Sequence, residues 1–169
     1  LLEDTVNLGF KLNRKVNAAW SVKRLKLEHD NWAKEYTEIV MELSNRPLNI
    51  HPAFIELSKV IDGTLLKTTK DLAVEGAQQK HCVASYSSTI DSGRTAIFHI
   101  NGFTAEVIKN GTQFELKQFN GFANKRAPDE IRNKVAGFLV SFSENNKHIF
   151  SLPHQRIQHE DYFTTQLPF

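Results

Sequence analysis

The hydrophobic positions change period several times along the chain, and each change marks an element. Ser21 is a residue type that accepts from the free amides of a first helical turn. After it, Val22, Leu25, His29, Trp32, Tyr36, Ile39 and Leu43 recur at steps of three and four. That is one face of a long amphipathic helix, bounded by Pro47. A shorter helix is expected over residues 4–12. Residues 47–70 hold Pro47, Pro52 and Gly63 and read as a connection with short extended pieces. Thr68 or Thr69 offers a cap for a helix starting at Lys70, with a break expected at Gly76. A second helix follows, with Cys82, Val83, Tyr86 and Ile90 on one stripe and Gly93 as its stop.

Two Asn-Gly dipeptides give the clearest local signal. Residues 95–100 precede Asn101-Gly102, residues 103–109 lead to Asn110-Gly111, and residues 112–119 follow. Asn and Gly tolerate the positive φ of a type I′ hairpin turn, so the three segments predict an antiparallel meander. Two-residue turns also fix register. Phe98 is expected opposite Ala105, and Ala105 opposite Leu116. Ala96, Val107 and Phe114 form a second row, and Ile100, Phe103 and Gln118 a third. The other face carries His99, Thr104 and Lys117, then Ile97, Glu106 and Glu115. The apolar face needs a cover, and the helix over 82–92 is expected to supply it. A last helix over 128–143 opens on Pro128, Asp129 and Glu130, which suit a first turn. Its buried stripe is Ile131, Val135, Phe138, Leu139 and Phe142. The expected architecture is one α+β domain over residues 1–169. It has a helical N-terminal part (1–46), a three-stranded antiparallel meander packed by helices (69–124), and the C-terminal helix with an aperiodic aromatic tail.

Composition changes this picture little. The chain is 40% hydrophobic and 24% charged, an ordinary globular balance. No apolar run approaches the roughly 18 residues that a membrane helix needs, and no export signal opens the sequence. No membrane partner is expected, and a cytoplasmic location is. Cys82 is the only cysteine, which excludes an internal disulfide and a multi-cysteine zinc site. Met41 is the only methionine, so Leu1 is not expected to be a natural start, and the chain is either trimmed or part of a longer protein. The net charge of +2 does not mark a nucleic-acid binder. Its distribution says more: Thr5 to Leu27 holds Lys11, Arg14, Lys15, Lys23, Arg24 and Lys26 and no acid. Such a segment can neutralise phosphates. The alternative is a solvated helix face balanced by acids elsewhere.

The residues that carry chemistry gather in two blocks. Cys82 follows Lys80 and His81 near an expected helix start, where cations and free amides favour a thiolate. Neighbours on a helix point about 100° apart, so His81 is badly placed as its base, and His99 or His51 would have to serve. The competing reading is a cysteine packed as a small hydrophobe. In the second block, the register sets Gln118 on the apolar face, where a polar amide needs partners. With Gly121 and Asn124 close behind, it points to a small polar pocket at the sheet end; the alternative is a loop braced by Gln118 and Asn124. His81, Tyr86, Gln118 and Asn124 are expected to converge there. His81 is the proton-transfer candidate, since an ordinary imidazole titrates near ~6.5. Gln118 and Asn124 offer donors and acceptors to orient a ligand, and Cys82 mainly packs. His29, on an apolar face, is expected to be semi-buried and hydrogen-bonded. Glu106 and Glu115 form either a cation site or a solvated pair. His154 and His159 lack an HExxH context, and no phosphate-cradling glycine loop or GxSxG elbow is present. No cofactor and no metal are expected.

These blocks bear a likeness to a known family. Glu75-Gly76, His81-Cys82-Val83, Tyr86, Ile90 and Gly93 resemble the signature of PcfJ-like proteins. The strand with Glu106 and the run Gln118, Gly121, Asn124, Pro128 are similar to that family's second block. Leu8-Gly9, Leu12, Ser21, Leu25, His29 and Asp30 resemble its helical lead-in. The likeness spans roughly residues 4 to 130, and Gln79 departs from it where an apolar residue is expected. The resemblance implies context more than chemistry, since such proteins travel on conjugative plasmids, integrated elements and phages. It makes an accessory protein that binds nucleic acid or a protein partner one reading. An enzyme built on His81, Cys82, Tyr86, Gln118 and Asn124 is a second, and a purely structural interaction domain a third.

Overall fold

The computed structural model describes the backbone of residues 1–43 and 45–155 and the side chains of residues 1–40 and 45–155. The Leu43 side chain and most of the tail, with His159, lie outside the described residues.

Two helices form the N-terminal part: α1 (Leu2–Lys11) and α2 (Val22–Leu43). Ser21 Oγ accepts from the Arg24 amide at 3.2 Å, the expected cap. Residues 52–58 form a helix that Pro47 and Pro52 masked, α3 (Pro52–Ser58). His51 Nδ1 accepts from the Ala53 amide at 3.0 Å to cap it, and Pro52 supplies the preset φ of a first turn. Next come the two-residue strand β1 (Thr64–Leu65) and α4 (Thr69–Gln79). Thr68 and Asp71 close a reciprocal capping box on α4. A 3₁₀ turn (Val83–Tyr86) and α5 (Ser87–Asp91) follow. The meander is β2 (Thr95–Ile100), β3 (Phe103–Asn110) and β4 (Gln113–Asn120). The described chain ends with a second 3₁₀ turn (Phe122–Asn124), α6 (Asp129–Asn145) and a third 3₁₀ turn (Lys147–Ser151). The fold class is α+β, as expected. The sheet has four strands rather than three, in the order β1-β2-β3-β4, because Thr64 and Leu65 pair with His99 and Phe98.

The expected break at Gly76 does not occur; α4 runs through it. Gly76 instead permits a close approach, since a Cβ there would sit 3.1 Å from the His81 carbonyl oxygen. The helix stops at Lys80, which takes a left-handed φ of 53°. Residues 82–92 are therefore not one helix but a 3₁₀ turn leading into α5.

The register holds in one hairpin and fails in the other. Ala96 pairs with Val107, Phe98 with Ala105 and His99 with Thr104, as the Asn101-Gly102 turn requires. The second turn sits one residue later, at Gly111-Thr112, because Asn110 pairs with Gln113. Only Gly111 of that pair has positive φ, the pattern of a turn with glycine at its first central position. A bulge then falls between Glu106 and Val107: Val107 opposes Leu116, while Glu106 opposes Gln118. Lys117 is the extra residue. One inserted residue turns every later side chain to the other face. Gln118 thus leaves the apolar face and stands beside Glu106, while Phe119 moves opposite Ala105.

The cover of the sheet is also corrected. The apolar face, with Phe98, Ala105, Val107, Phe114 and Phe119, packs against Phe54 and Leu57 of α3, Leu139 of α6 and Phe150. Residues 82–92 lie on the opposite face, where Ile97 meets Leu72, Val83 and Ile90. Beyond them, α2 packs on α4 and on α1. The apolar face was already filled from α3 and α6. Tyr86 and His81 carry polar tips that the mixed face can satisfy, so this segment covers that side.

Candidate functional site

His81, Cys82, Tyr86, Gln118 and Asn124 line one cavity on the mixed face. His81, Cys82, Val83 and Tyr86 come from the turn after α4. Ile97, Thr104, Glu106, Gln118 and Asn120 come from the sheet, and Asn124 from the turn after β4. The cavity volume is about 30 Å³, room for a water molecule or two or one small functional group.

Unusual backbone aims both walls of this cavity. The left-handed Lys80 swings His81 back under α4, and the His81 amide donates to the Gly76 carbonyl at 3.2 Å. On the far wall Ala123 and Asn124 both have positive φ, 53° and 61°. The Gly121 amide closes that turn onto the Lys125 carbonyl at 2.7 Å. A Cβ on Gly121 would meet the Phe103 ring at 2.9 Å, so the turn requires glycine there. Lys80 Nζ sits 5.0 Å over the Phe122 ring and ties the two walls together. Left-handed φ costs a residue with a Cβ roughly 1–2 kcal/mol, with asparagine the tolerant exception. Lys80 and Ala123 are the two such residues that are neither glycine nor asparagine among the described residues, and both flank the cavity. Gln79, the departure from the family pattern, donates from Nε2 to the Gly102 carbonyl at 3.1 Å and pins the end of α4 to the β2–β3 turn.

A chain of hydrogen bonds connects His81 to the surface. His81 is 8% exposed, and its Nε2 lies 2.8 Å from Thr104 Oγ1. The Thr104 hydroxyl gives its single proton to Glu75, so it accepts from His81 Nε2–H. Glu75 is buried and receives His99 Nδ1 at 2.9 and 3.0 Å, and the His99 side chain is 37% exposed. The path runs from solvent through His99, Glu75 and Thr104 to His81. Burial lowers the His81 pKa, which the Glu75 carboxylate partly offsets.

The other wall is built around Glu106, 3% exposed. Its Oε1 is 3.4 Å from Lys117 Nζ and 3.4 Å from Thr95 Oγ1, while Oε2 has no hydrogen-bond partner among the described residues. Burial holds its carboxyl above the usual range, with Lys117 pulling the other way. Tyr86 hydrogen-bonds Gln118, and burial raises the phenol pKa far above its ordinary value, so it stays a neutral donor. Cys82 is buried, and burial, with Asp4 adding to it, pushes its thiol up to about 12. It packs as a neutral thiol against Leu8, Trp32 and Ala33. Of the proposed bases, His99 is engaged by Glu75, and His51 lies against His154 with ring centroids 5.2 Å apart, in a separate cavity. Glu115 accepts from Asn110 Nδ2 at 2.9 Å at the exposed end of the hairpin. Sequence reasoning missed Thr104, Glu75 and Asn120 as site members. The signal for Thr104 was present, since it was placed opposite His99.

The basic segment divides in two. Lys11 turns inward, donates to the Ser85 carbonyl and lies 5.1 Å over the Tyr36 ring; burial brings its pKa down to about 8. Arg14 holds both carboxylate oxygens of Glu35 at 2.8 and 3.0 Å, and Arg24 holds Glu28 at 2.6 Å. Lys15, Lys23 and Lys26 are exposed. Among the described residues, no helix is long and apolar enough to cross a membrane.

No curated protein and no solved structure matches the chain. A protein-family model does, over residues 1–136, a stretch that holds α1 to β4, both walls of the cavity and the Lys11–Lys26 segment. The chain belongs to the family of PcfJ-like proteins.

Proposed function

We propose that the mixed-face cavity is a ligand and proton-transfer site and that the chain is an enzyme acting by general acid–base chemistry on a small polar group. One observation carries this reading: among the described residues a buried carboxylate oxygen, Glu106 Oε2, stands without a hydrogen-bond partner in a cavity shared with His81, Tyr86, Gln118 and Asn124. An unpaired buried carboxylate oxygen is costly, and a donor group of a ligand would relieve it. The size of the cavity limits that donor to a terminal ammonium, amide or hydroxyl. Gln118 and Asn124 orient it, and His81 exchanges its proton along Thr104, Glu75 and His99.

The test is an NMR titration of the intact chain with methylammonium, acetamide and acetate. The two donors are expected to shift the amides of residues 81–86, 104–106 and 118–124, and acetate is not. Glu106→Gln should weaken methylammonium binding by about tenfold or more, the value of a hydrogen bond to a charged group. His81→Ala should keep the far-ultraviolet circular dichroism of the parent and lose activity. Absence of any shift with both donors would discard the reading.

A second reading, an accessory protein of mobile elements that contacts nucleic acid, is favoured by the exposed Lys15, Lys23 and Lys26. It predicts salt-dependent binding of a labelled oligonucleotide, with log affinity on duplex DNA falling by about 0.9 per phosphate contact for each tenfold rise in salt. Lys15→Glu, Lys23→Glu and Lys26→Glu together should abolish it. No binding of single- or double-stranded oligonucleotide at low salt removes this reading.

A further inference from the structure

Three metal-ligating side chains from distant parts of the chain meet behind the cavity wall. Asp4 of α1, His29 of α2 and Cys82 each offer a ligand atom, and these atoms all lie within 4.8 Å of one another. His29 and Cys82 are buried, and Asp4 is partly so. The His29 ring is already oriented: its Nδ1 lies 3.0 Å from Asp30 Oδ1. That leaves Nε2 as the nitrogen open to coordination. A carboxylate on the far ring nitrogen is the usual support of a metal-bound histidine, fixing its tautomer and raising its basicity. Leu8, Trp32 and Ala33 pack with Cys82, with Tyr36 and Tyr86 against them, and form a largely apolar shell.

We propose that Asp4, His29 and Cys82 form a binding site for a zinc-like divalent cation, with Asp30 as the positioning residue for His29. The donor set of one sulfur, one nitrogen and one oxygen suits zinc and is foreign to magnesium or calcium. Ligand atoms around a tetrahedral zinc stand ~3.3–3.6 Å apart at ordinary bond lengths, so the three need close by at most about 1.5 Å. Charge also fits. A divalent cation with one thiolate and one carboxylate makes a neutral centre, which an apolar shell tolerates far better than the anions alone. The binding step is an exchange: the Cys82 S–H proton leaves to solvent as the sulfur–metal bond forms. Three protein ligands leave a fourth position open to water or a ligand.

The readout is the metal itself, so the result stands apart from that of the cavity's proposed ligand. The intact chain is stripped with chelator and titrated with zinc and with cobalt(II). The expected result is one equivalent per chain and, for cobalt, a thiolate-to-metal charge-transfer band in the near ultraviolet. Cys82 is the only cysteine, so that band reports on it even if the Cys82→Ser variant fails to fold. His29→Gln and Asp4→Asn should each weaken binding. Asp30→Asn should weaken it by about 10–100-fold without removing the band, as loss of an outer partner does. Substoichiometric zinc, or cobalt bound without the charge-transfer band, overturns the proposal. So does a folded Cys82→Ser chain that binds zinc as tightly as the parent.

Discussion

The two faces of the sheet are made from the same three long strands and serve opposite ends. On one face Phe98, Val107, Phe114 and Phe119 sit under α3 and α6, where the buried Ser143 hydroxyl accepts from the Phe114 amide and donates to the Leu139 carbonyl. On the other, every strand contributes polar or charged side chains: Thr95 and His99, Thr104 and Glu106, Gln118 and Asn120. There the hydrogen bonds form a relay, a carboxylate oxygen lacks a partner, and left-handed residues mark both walls. The period-two alternation of a strand lets one segment do both jobs. The apolar face supplies the free energy that holds the costlier polar face in place. In this chain the polar face is not the solvent face. It is covered by a second helical layer, which is what turns a polar strip into a cavity.

Substitutions on the two faces should therefore differ in kind. The largest loss is expected from Phe114→Ala on the apolar face, where the ring meets Phe54 at 5.0 Å and Phe150 at 4.7 Å. It should cost ~3–5 kcal/mol, read by denaturant unfolding. On the polar face, Glu75→Gln breaks the middle of the relay and should cost ~1–3 kcal/mol. It should also shift the ring resonances of His99 and His81 in NMR spectra at fixed pH; unchanged resonances would mean that the relay is not coupled. Glu106→Gln is expected to act in the reverse direction. Burial raises the folded-state pKa of Glu106 above the ordinary 4.5. The folded chain therefore holds that proton to a higher pH than the unfolded chain does. The penalty is absent below pH 4.5, grows as pH rises through the folded-state value, and is complete above it. Glu106→Gln should thus stabilise the protein at pH 7 and lose that advantage near pH 4, measured as the shift of unfolding midpoint with pH. The smallest effect is expected from Ala123→Gly. Relief of the left-handed strain and the added freedom of the unfolded chain nearly cancel, leaving a change within ~1 kcal/mol. A loss well beyond that would show that Ala123 packs rather than strains.

Much of the fold was legible along the chain. Ser21, the heptad-like stripe through Trp32, the Thr68 cap, the Asn101-Gly102 turn and the helix after Pro128 are local signals, each decided by a few neighbouring residues. Helix α3 was hidden because Pro52 reads as a breaker, although proline suits a first turn. The break expected at Gly76 failed because glycine there answers to a contact, not to a bend. Of the site, the membership of His81, Tyr86, Gln118 and Asn124 was legible, but Gln118 was reached by a register that does not occur. It joins the cavity because Lys117 bulges. The basic segment looked uniform in sequence, yet Lys11, Arg14 and Arg24 are taken by Ser85, Glu35 and Glu28, partners that spacing alone does not select.

The sequence by itself determined the α+β class, most of the elements and the polar residues that a site would use. Propensity, capping and period act over a few residues and need no knowledge of the rest of the chain. Only the tertiary structure decided which face each helix covers, where the extra residue of β4 falls, and that Asp4, His29 and Cys82 meet. Those outcomes depend on competition among distant segments for one sheet and on contacts across 25 to 78 residues of chain. Such contacts are fixed by packing and by the need to pair buried polar groups, which no local pattern records.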